Sequence, residues 1–413
     1  MRKTAQLWPT LAMTCVATLL VLLAPKPAFG ALAPRPFPPS LQPSAGAAPQ
    51  FSPFTQLRAL GISAGDYFGA AVATSGTTTV VGVPYLDGGR AFVFGETSGA
   101  WRQMAMLRGT DTEAGDYFGI SVAISGPTIV VGANGAEHSG RAYVFIKGTS
   151  GWHQTAELSG TGFGKGAAFG SSVAVSGDSV VVGAPLQNVF SGAAEVFGDG
   201  VGGWLPVARL TSDETSVGNY FGFAVAMAGD AIAVGAPGRL VGEGRAYIFK
   251  PSGHGWREEA SIVGGDSAVG DDFGYSLALS GPTLVVGGPW HDSAGGAAYV
   301  FSLGARGVHQ VAELKGRGTV AGDRFGSSVA ISGSTIVVGA PRHGNGAGEA
   351  YMFDWAGGSW REAAAMTGPG TAVGDAFGTS AAVAGATVAV GASRHDGTDG
   401  AVYLSQETAP GAL

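Results

Sequence analysis

Three histidines recur at one position of a repeating pattern, and charged or aromatic residues adjoin them. His291, His343 and His395 are 52 residues apart, so they share one register. With their neighbours they define one candidate set: Trp290, His291, Asp292, Arg342, His343, Arg394, His395 and Asp396. Side chains that stack and form charge-assisted hydrogen bonds suit contacts with a protein or a carbohydrate. The pattern therefore predicts a ligand-binding surface. The alternative is that the late repeats are recent copies in which histidine is tolerated.

The three histidines are not expected to share a metal ion. Zinc needs each imidazole nitrogen about 2.0 Å away, whereas equivalent positions of successive repeats should diverge. Two short catalytic patterns are also present. Gly61–Gly65 has the spacing of a nucleophile elbow but no strand-to-helix turn, and Gly198–Gly203 matches a dinucleotide loop but no helix follows it. We therefore predict no catalytic residue, no metal site and no cofactor.

A second polar set lies two positions before a repeated phenylalanine. Its members are Asp66, Asp116, Asp271, Asp323 and Asp375, with Asn219 and Ala167 at the same place in two other copies. One interpretation is a ring of carboxylates that faces a ligand. The other is turn chemistry, because Asp and Asn side chains accept hydrogen bonds from nearby backbone N–H groups. The asparagine favours the second interpretation. Further polar or aromatic loop residues are Tyr85, Asp87, Glu137 and His138.

All of these residues belong to a unit of about 50 residues that occurs seven times. Each copy begins with a Phe-Gly pair, at Phe68, Phe118, Phe169, Phe221, Phe273, Phe325 and Phe377. Two β-branched runs joined across a Gly indicate a hairpin. A third apolar run and a fourth, alternating run follow it. Four antiparallel strands at this period predict a propeller blade, so the fold class is an all-β, seven-bladed β-propeller.

The two ends of the repeat array predict how the ring closes. The fourth strand of a copy begins 17 residues before the next Phe-Gly pair, as Trp101 and Trp152 do, but the seventh copy has no such strand after it. Phe51 lies 17 residues before Phe68. Residues 51–57 are therefore predicted to be the outer strand of the last blade, which would remove an open sheet edge.

Phe-Gly followed about 15 residues later by Gly-Ala-Pro resembles the FG-GAP repeat of the integrin alpha-subunit propeller and of many secreted bacterial proteins. The resemblance covers residues 51–407. It implies that the loops after Gly-Ala-Pro and the loops before Phe-Gly share one face, where integrin-type propellers bind partners. Many integrin blades also carry a calcium loop between the first two strands. Here that hairpin is as short as Ser176–Asp178, and calcium needs six to eight oxygen ligands, so calcium binding is not expected.

The chain divides into four predicted segments. Residues 1–30 have a basic start and an apolar run typical of a signal peptide, and residues 31–50 form a Pro/Ala-rich linker. The propeller occupies residues 51–407, and 408–413 form a short tail. Removal of Arg2, Lys3 and Lys26 from the 23 basic residues leaves 20 against 30 acidic ones, a formal charge of −10. This balance argues against nucleic acid and anionic membranes as partners.

These observations predict a secreted, monomeric binding or adhesion module for a protein or a carbohydrate, which contacts its partner through the loops after Gly-Ala-Pro and is not an enzyme. After signal cleavage no membrane insertion is expected. One alternative is a propeller hydrolase or lyase with a His/Asp site at the top of the channel. Another is a structural surface protein without a specific ligand. The sequence does not distinguish a periplasmic from an extracellular location.

Overall fold

Six of the sequence repeats each form one four-stranded antiparallel sheet, and the seventh forms three strands that the beginning of the propeller completes; the seven sheets are the blades of a ring. The computed structural model describes residues 50–135, 139–214, 216–238, 243–253 and 255–408. The predicted signal peptide, most of the predicted linker, Glu137, His138 and residues 409–413 lie outside the described residues. The predicted fold class is confirmed.

The strands of each blade are given from the innermost to the outermost. Blade 1 contains β3 (Ala71–Ser75), β4 (Thr78–Val83), β5 (Arg90–Thr97) and β6 (Ala100–Leu107). Blade 2 contains β7 (Ser121–Ser125), β8 (Thr128–Ala133), β9 (Arg141–Gly148) and β10 (Gly151–Leu158). Blade 3 contains β11 (Ser172–Ser176), β12 (Ser179–Ala184), β13 (Ala193–Gly200) and β14 (Gly203–Leu210). Blade 4 contains β15 (Ala224–Ala228), β16 (Ala231–Ala236), β17 (Arg245–Ser252) and β18 (Gly255–Ile262).

The later blades follow the same order. Blade 5 contains β19 (Ser276–Ser280), β20 (Thr283–Gly288), β21 (Ala297–Gly304) and β22 (Gly307–Leu314). Blade 6 contains β23 (Ser328–Ser332), β24 (Thr335–Ala340), β25 (Glu349–Ala356) and β26 (Ser359–Met366). Blade 7 contains β27 (Phe377–Ala384), β28 (Thr387–Ala392) and β29 (Ala401–Thr408), with β1 (Gln50–Phe51) and β2 (Thr55–Leu57) on its outer edge. Four short helical turns, α1 (Gln187–Phe190), α2 (His291–Ala294), α3 (His343–Gly346) and α4 (His395–Thr398), follow the second strands of blades 3, 5, 6 and 7.

Apolar contacts between neighbouring blades form the core. The phenylalanine of each Phe-Gly pair is buried; Phe325, for example, packs with residues of blade 5 and against Tyr351 of its own blade, at 5.4 Å between ring centroids. The following glycine allows the two backbones to approach. A Cβ atom on Gly326, whose φ is +88°, would lie 2.3 Å from the carbonyl oxygen of Ala297, closer than any stable contact. These contacts explain why the Phe-Gly pair recurs in every blade.

Serine side chains also connect successive blades. Ser276 at the start of β19 donates a hydrogen bond to the carbonyl of Gly326 in the next blade, at 2.8 Å. The same bond joins blade 7 to blade 1, from Ser380 to Gly69, also at 2.8 Å. The ring therefore closes with the same local contact that links consecutive blades.

The last blade is completed by the beginning of the propeller, as the sequence predicts. Leu57 pairs with Val402, and Phe51 pairs with Glu407, both in antiparallel register with β29. The strand is interrupted between Phe51 and Thr55, where Pro53 lacks an N–H group for pairing. Leu57 is 3% exposed, so this short strand contributes to the core as well as to the edge. No helix among the described residues is long and apolar enough to cross a bilayer.

Candidate binding face

Two sets of loops lie on one face of the ring, which we call the loop face. One set follows the second strand of each blade, and the other leads into the first strand. Backbone hydrogen bonds connect the sets: Trp290 N–H donates to the Asp271 carbonyl at 3.3 Å, and Arg324 N–H donates to the Ala294 carbonyl at 2.8 Å. The expectation that the two sets share a face is therefore confirmed. The opposite side, which carries the Ser-Gly turns, is the hairpin face.

The loops that hold the histidines contain a left-handed turn. In α2, Asp292 has φ 47° and ψ 58°, and Ser293 has φ 59° and ψ 38°. Left-handed backbone costs roughly 1–2 kcal/mol per ordinary residue, and Asp, Asn and Gly tolerate it best. The equivalent residues in the other two histidine loops are Gly344 with Asn345, and Asp396 with Gly397. This composition explains why the loops adopt the turn. Each histidine is the first residue of its helical turn, immediately before the two left-handed residues.

Each of the three histidines binds the aspartate that precedes Phe-Gly in its own blade. The Nδ1–H groups of His291, His343 and His395 donate to carboxylates of Asp271, Asp323 and Asp375 at 2.7, 2.8 and 2.7 Å. A carboxylate only accepts hydrogen bonds, so this contact assigns the proton to Nδ1 and turns Nε2 the other way. The sequence showed the two sets separately. The signal that links them is that blades 5 to 7 each contain both an aspartate and a histidine.

These aspartates also perform the predicted turn chemistry. The second carboxylate contact of Asp271 is the backbone N–H of Ala268, at 2.7 Å, and Asp66 and Asp116 make the equivalent contact in blades 1 and 2. Asp271, Asp323 and Asp375 are all at most 8% exposed, so they do not form a carboxylate ring that faces solvent. In blade 3, where Ala167 replaces the aspartate, Gln187 accepts the corresponding N–H of Gly164 at 3.1 Å.

The structure separates the predicted ligand-binding residues into buried and exposed groups. His291 and His395 are each 6% exposed, so their side chains lie beneath the loops and contribute little to the predicted ligand-binding surface. His343 is half-buried, and its Nε2 lies 3.3 Å from Glu349. The exposed members of the set are Asp292, Arg342, Arg394 and Asp396. The Nε2 atoms of the histidines face carboxylates, not the hydroxyl or thiol that a nucleophile–base pair requires.

Ion pairs constrain two of the exposed acids. Lys315 Nζ lies 2.7 Å from Asp292, and this hydrogen bond, followed by the nearby His291, lowers the pKa of the Asp292 carboxyl. The same contact raises the pKa of Lys315. Asp396 lies 3.2 Å from Arg58. Arg342 and Arg394 are exposed in the loops of blades 6 and 7, so they supply cationic side chains to the loop face.

Aromatic side chains on the loop face form contacts that the sequence did not predict. Tyr85 is 52% exposed and packs between Tyr67 and Tyr117, at 5.1 and 5.3 Å between ring centroids. The Arg324 guanidinium lies over the Trp290 ring, 3.9 Å from its centroid. In both cases the loop after the second strand contacts the loop that enters the next blade. These pairs hold the surface of the face in a defined shape.

Large apolar side chains are exposed mainly on this face. Among the described residues, thirteen are strongly exposed, and eight of these belong to loop-face loops: Leu60, Tyr85, Val189, Phe190, Val217, Val269, Val320 and Val373. Four others lie on the outer strands β6 and β14, and one lies on the hairpin face. The four valines occupy similar places in the loops that enter blades 4 to 7. The apolar exposure is thus concentrated on one side of the ring.

Seven sheets arranged around an axis, with loops that present aromatic and apolar side chains on one face, define a seven-bladed β-propeller with a candidate binding face. The FG-GAP repeat signature matches residues 54–94, 101–145, 152–197, 204–249, 256–301, 308–353 and 360–405. The chain belongs to the FG-GAP repeat family. Among solved structures, it is similar to a chain of "Crystal Structure of Mitotic Checkpoint Complex" with a TM-score of 0.56 and 16% identity, over 89% of this chain and 98% of that one. At this identity the likeness concerns the fold alone.

Proposed function

We propose that this protein is a secreted binding or adhesion module that holds a protein or carbohydrate partner on its loop face. The observation that carries the proposal is the uneven apolar exposure: of the thirteen large exposed apolar side chains in the described part of the chain, eight lie in the loops of that face. Exposed apolar surface costs free energy unless a partner covers it. Loops on a rigid scaffold are also where binding residues are concentrated.

The residue types on the face support this proposal. Interface cores are enriched in Tyr, Trp, Phe and Arg, and the loop face presents Tyr85, Phe190 and Arg342 at its surface. The aliphatic valines favour a protein partner, because they offer an apolar surface without hydrogen-bonding groups. The tyrosine cluster around Tyr85 favours a carbohydrate as the second candidate, since it offers a preformed aromatic platform with polar hydroxyls.

The test compares two matched variants of the mature protein. The face variant carries Val217→Ser, Val269→Ser, Val320→Ser and Val373→Ser. The rim control carries the same number of changes on the outer strands: Met104→Ser, Met106→Ser, Leu205→Ser and Val207→Ser. All eight side chains are at least half exposed, so both variants should keep the melting temperature of the wild type within a few degrees.

Immobilised wild-type protein and both variants are then exposed to a surface extract of the source cells and to a glycan array. We expect a specific partner to be retained by the wild type and the rim control, and to be lost or weakened at least tenfold in the face variant. A Tyr85→Ala variant that loses only glycan binding would identify the carbohydrate as the partner. Equal binding by the face variant and the rim control would refute the proposal.

A further inference from the structure

Three side chains with metal-binding atoms meet in blade 5. The imidazole of His291 and the carboxylates of Asp266 and Glu313 each have one ligand atom within 4.8 Å of the other two. They come from three segments: the loop that leads into the blade, the left-handed turn α2, and the last residues of the outer strand β22. No short sequence motif contains all three, so this cluster was not part of the sequence predictions, which included no metal site.

The orientation of His291 is the one that a metal ligand needs. Its Nδ1–H donates to Asp271 at 2.7 Å, so Nε2 faces the cluster. Metal-binding histidines commonly have such a carboxylate behind them, which orients the ring. Nε2 lies 3.6 Å from Asp266 and 3.4 Å from Asp292. These distances exceed those of ordinary N–H···O hydrogen bonds, but two ligands bound tetrahedrally to zinc at about 2.0–2.1 Å lie about 3.3–3.4 Å apart.

A comparison with other blades shows what this place can hold. In blade 2, Asp111 and Glu157 occupy the positions equivalent to Asp266 and Glu313, and the Arg141 guanidinium contacts both. In blade 4, Arg245 lies 3.4 Å from Glu214. Blade 5 keeps the two carboxylates but has Ala297 where blades 2 and 4 have arginine. Blade 5 therefore lacks the arginine that contacts the acids in blades 2 and 4, and Lys315, which follows β22, contacts Glu313 instead.

A buried hydroxyl supplies a second, independent observation. Tyr299 is fully buried, and its hydroxyl has no hydrogen-bond partner among the described residues. The equivalent Tyr143 in blade 2 donates to Asp111 at 2.7 Å. An unsatisfied buried hydroxyl costs free energy, and the oxygen atom of a metal-bound carboxylate or water could accept a hydrogen bond from it.

We propose that Asp266, His291 and Glu313 form a divalent-cation site in blade 5, with Asp292 as a fourth ligand within reach. A nitrogen ligand combined with carboxylates suits zinc better than calcium, which binds oxygen ligands. The site is distinct from the hairpin between the first two strands, where calcium was not expected, and it does not depend on the proposed function.

Lys315 determines how strongly the site can bind. Its ammonium lies 2.7 Å from Asp292 and 3.0 Å from Glu313, and its side chain is 45% exposed. A bound metal would compete with this ammonium for both carboxylates, and the flexible lysine can move into solvent. Removal of the lysine is therefore expected to tighten metal binding, which is a result that a merely structural ion-pair network would not produce.

The experiment is a calorimetric titration of the chelator-treated and dialysed mature protein with zinc chloride, alongside a titration with calcium chloride. We expect one zinc per chain and no comparable calcium binding. Asp266→Asn and Glu313→Gln should each weaken zinc binding at least tenfold, and Lys315→Met should strengthen it by roughly tenfold. The matched control is His395→Gln, because blade 7 has the same His–Asp pair but Gly370 and Gln56 at the positions of the two acids. Binding by this control should equal that of the wild type.

The melting temperature of each variant without zinc shows that it is folded. Added zinc should raise the melting temperature of the wild type, and more so that of Lys315→Met, because a ligand that binds only the folded state stabilises it. The proposal is overturned if neither protein binds zinc, if calcium binds as tightly as zinc, or if Asp266→Asn and Glu313→Gln bind zinc as the wild type does.

Discussion

Removal of the closing strand should destabilise the whole propeller by several kcal/mol. The perturbation is a deletion of residues 31–57 from the mature chain, compared with a deletion of residues 31–49 only. The longer deletion removes β1 and β2 and leaves the outer side of β29 without partners. The shorter one removes only a segment that the sequence predicts to be a linker, so it should leave stability unchanged.

The magnitude follows from two side chains. Leu57 is 3% exposed, and loss of a buried leucine costs about 2–5 kcal/mol. Phe54 packs edge-on against Phe377 and Tyr403, at 5.8 and 6.1 Å between centroids, and each such pair contributes about 0.5–1.5 kcal/mol. The expected loss is thus about 3–8 kcal/mol. Since the entropy of unfolding for a domain of this size is roughly 0.75 kcal/mol/K, the melting temperature should fall by about 4–11 °C.

Differential scanning calorimetry measures the melting temperature, and size-exclusion chromatography at several concentrations measures association. We expect the longer deletion to associate as concentration rises, because an exposed strand edge can pair with another chain. The double variant Phe54→Ala with Leu57→Ala should reproduce most of the loss of stability while retaining the backbone of the strand. The reasoning is refuted if both deletions melt within a degree of each other and remain monomeric.

Three further results are expected. Burial raises the pKa of Asp354 in the folded protein above its value in the unfolded chain. The ionised carboxyl therefore lowers the stability of the fold as pH rises above about 4. Asp354→Asn should raise the melting temperature at pH 7 and have less effect at pH 3. Gly326→Ala should destabilise the chain by more than 3 kcal/mol in denaturant unfolding, because its Cβ would collide with the Ala297 carbonyl; a loss below 1 kcal/mol would contradict the packing argument. Asp375→Ala should lower the free energy of unfolding by about 2–4 kcal/mol, since it removes the acceptor of hydrogen bonds from the turn N–H of Ala372 and from His395. In a double-mutant cycle, His395→Ala should destabilise the Asp375→Ala variant less than it destabilises the wild type.

The fold could be predicted because the same residue pattern recurs seven times at a spacing of about 50 residues. Seven Phe-Gly pairs in one register specify seven blades, and the position of Phe51 relative to Phe68 predicted the closing strand. The turn chemistry of Asp271 was also predicted, because it is a local property of a short segment. The His–Asp pairs were not predicted, since residues 271 and 291 meet only after the hairpin between them has folded.

The rest of the candidate surface depends on contacts between different segments. The blade-5 cluster joins residues whose separation in space is determined by strand register and by the path of a left-handed turn. The burial of His291 and His395 likewise depends on that turn, which places the ring beneath the loop. Exposure of Val269 and Val320 could not be predicted either, because an apolar residue in a loop is as compatible with packing as with solvent.

The antiparallel pairing of Gln50 with Thr408 places the first and last described residues next to each other, at the same side of the ring. The first described strand starts at the hairpin face, and β29 ends there, so both backbone exits leave from the side opposite the loop face. A tether joined to either exit would therefore hold the hairpin face towards its support and direct Tyr85 and the exposed valines outward. The same arrangement means that tension between the two exits acts on the closing strands first, and the ring would open at blade 7 before any other blade is loaded.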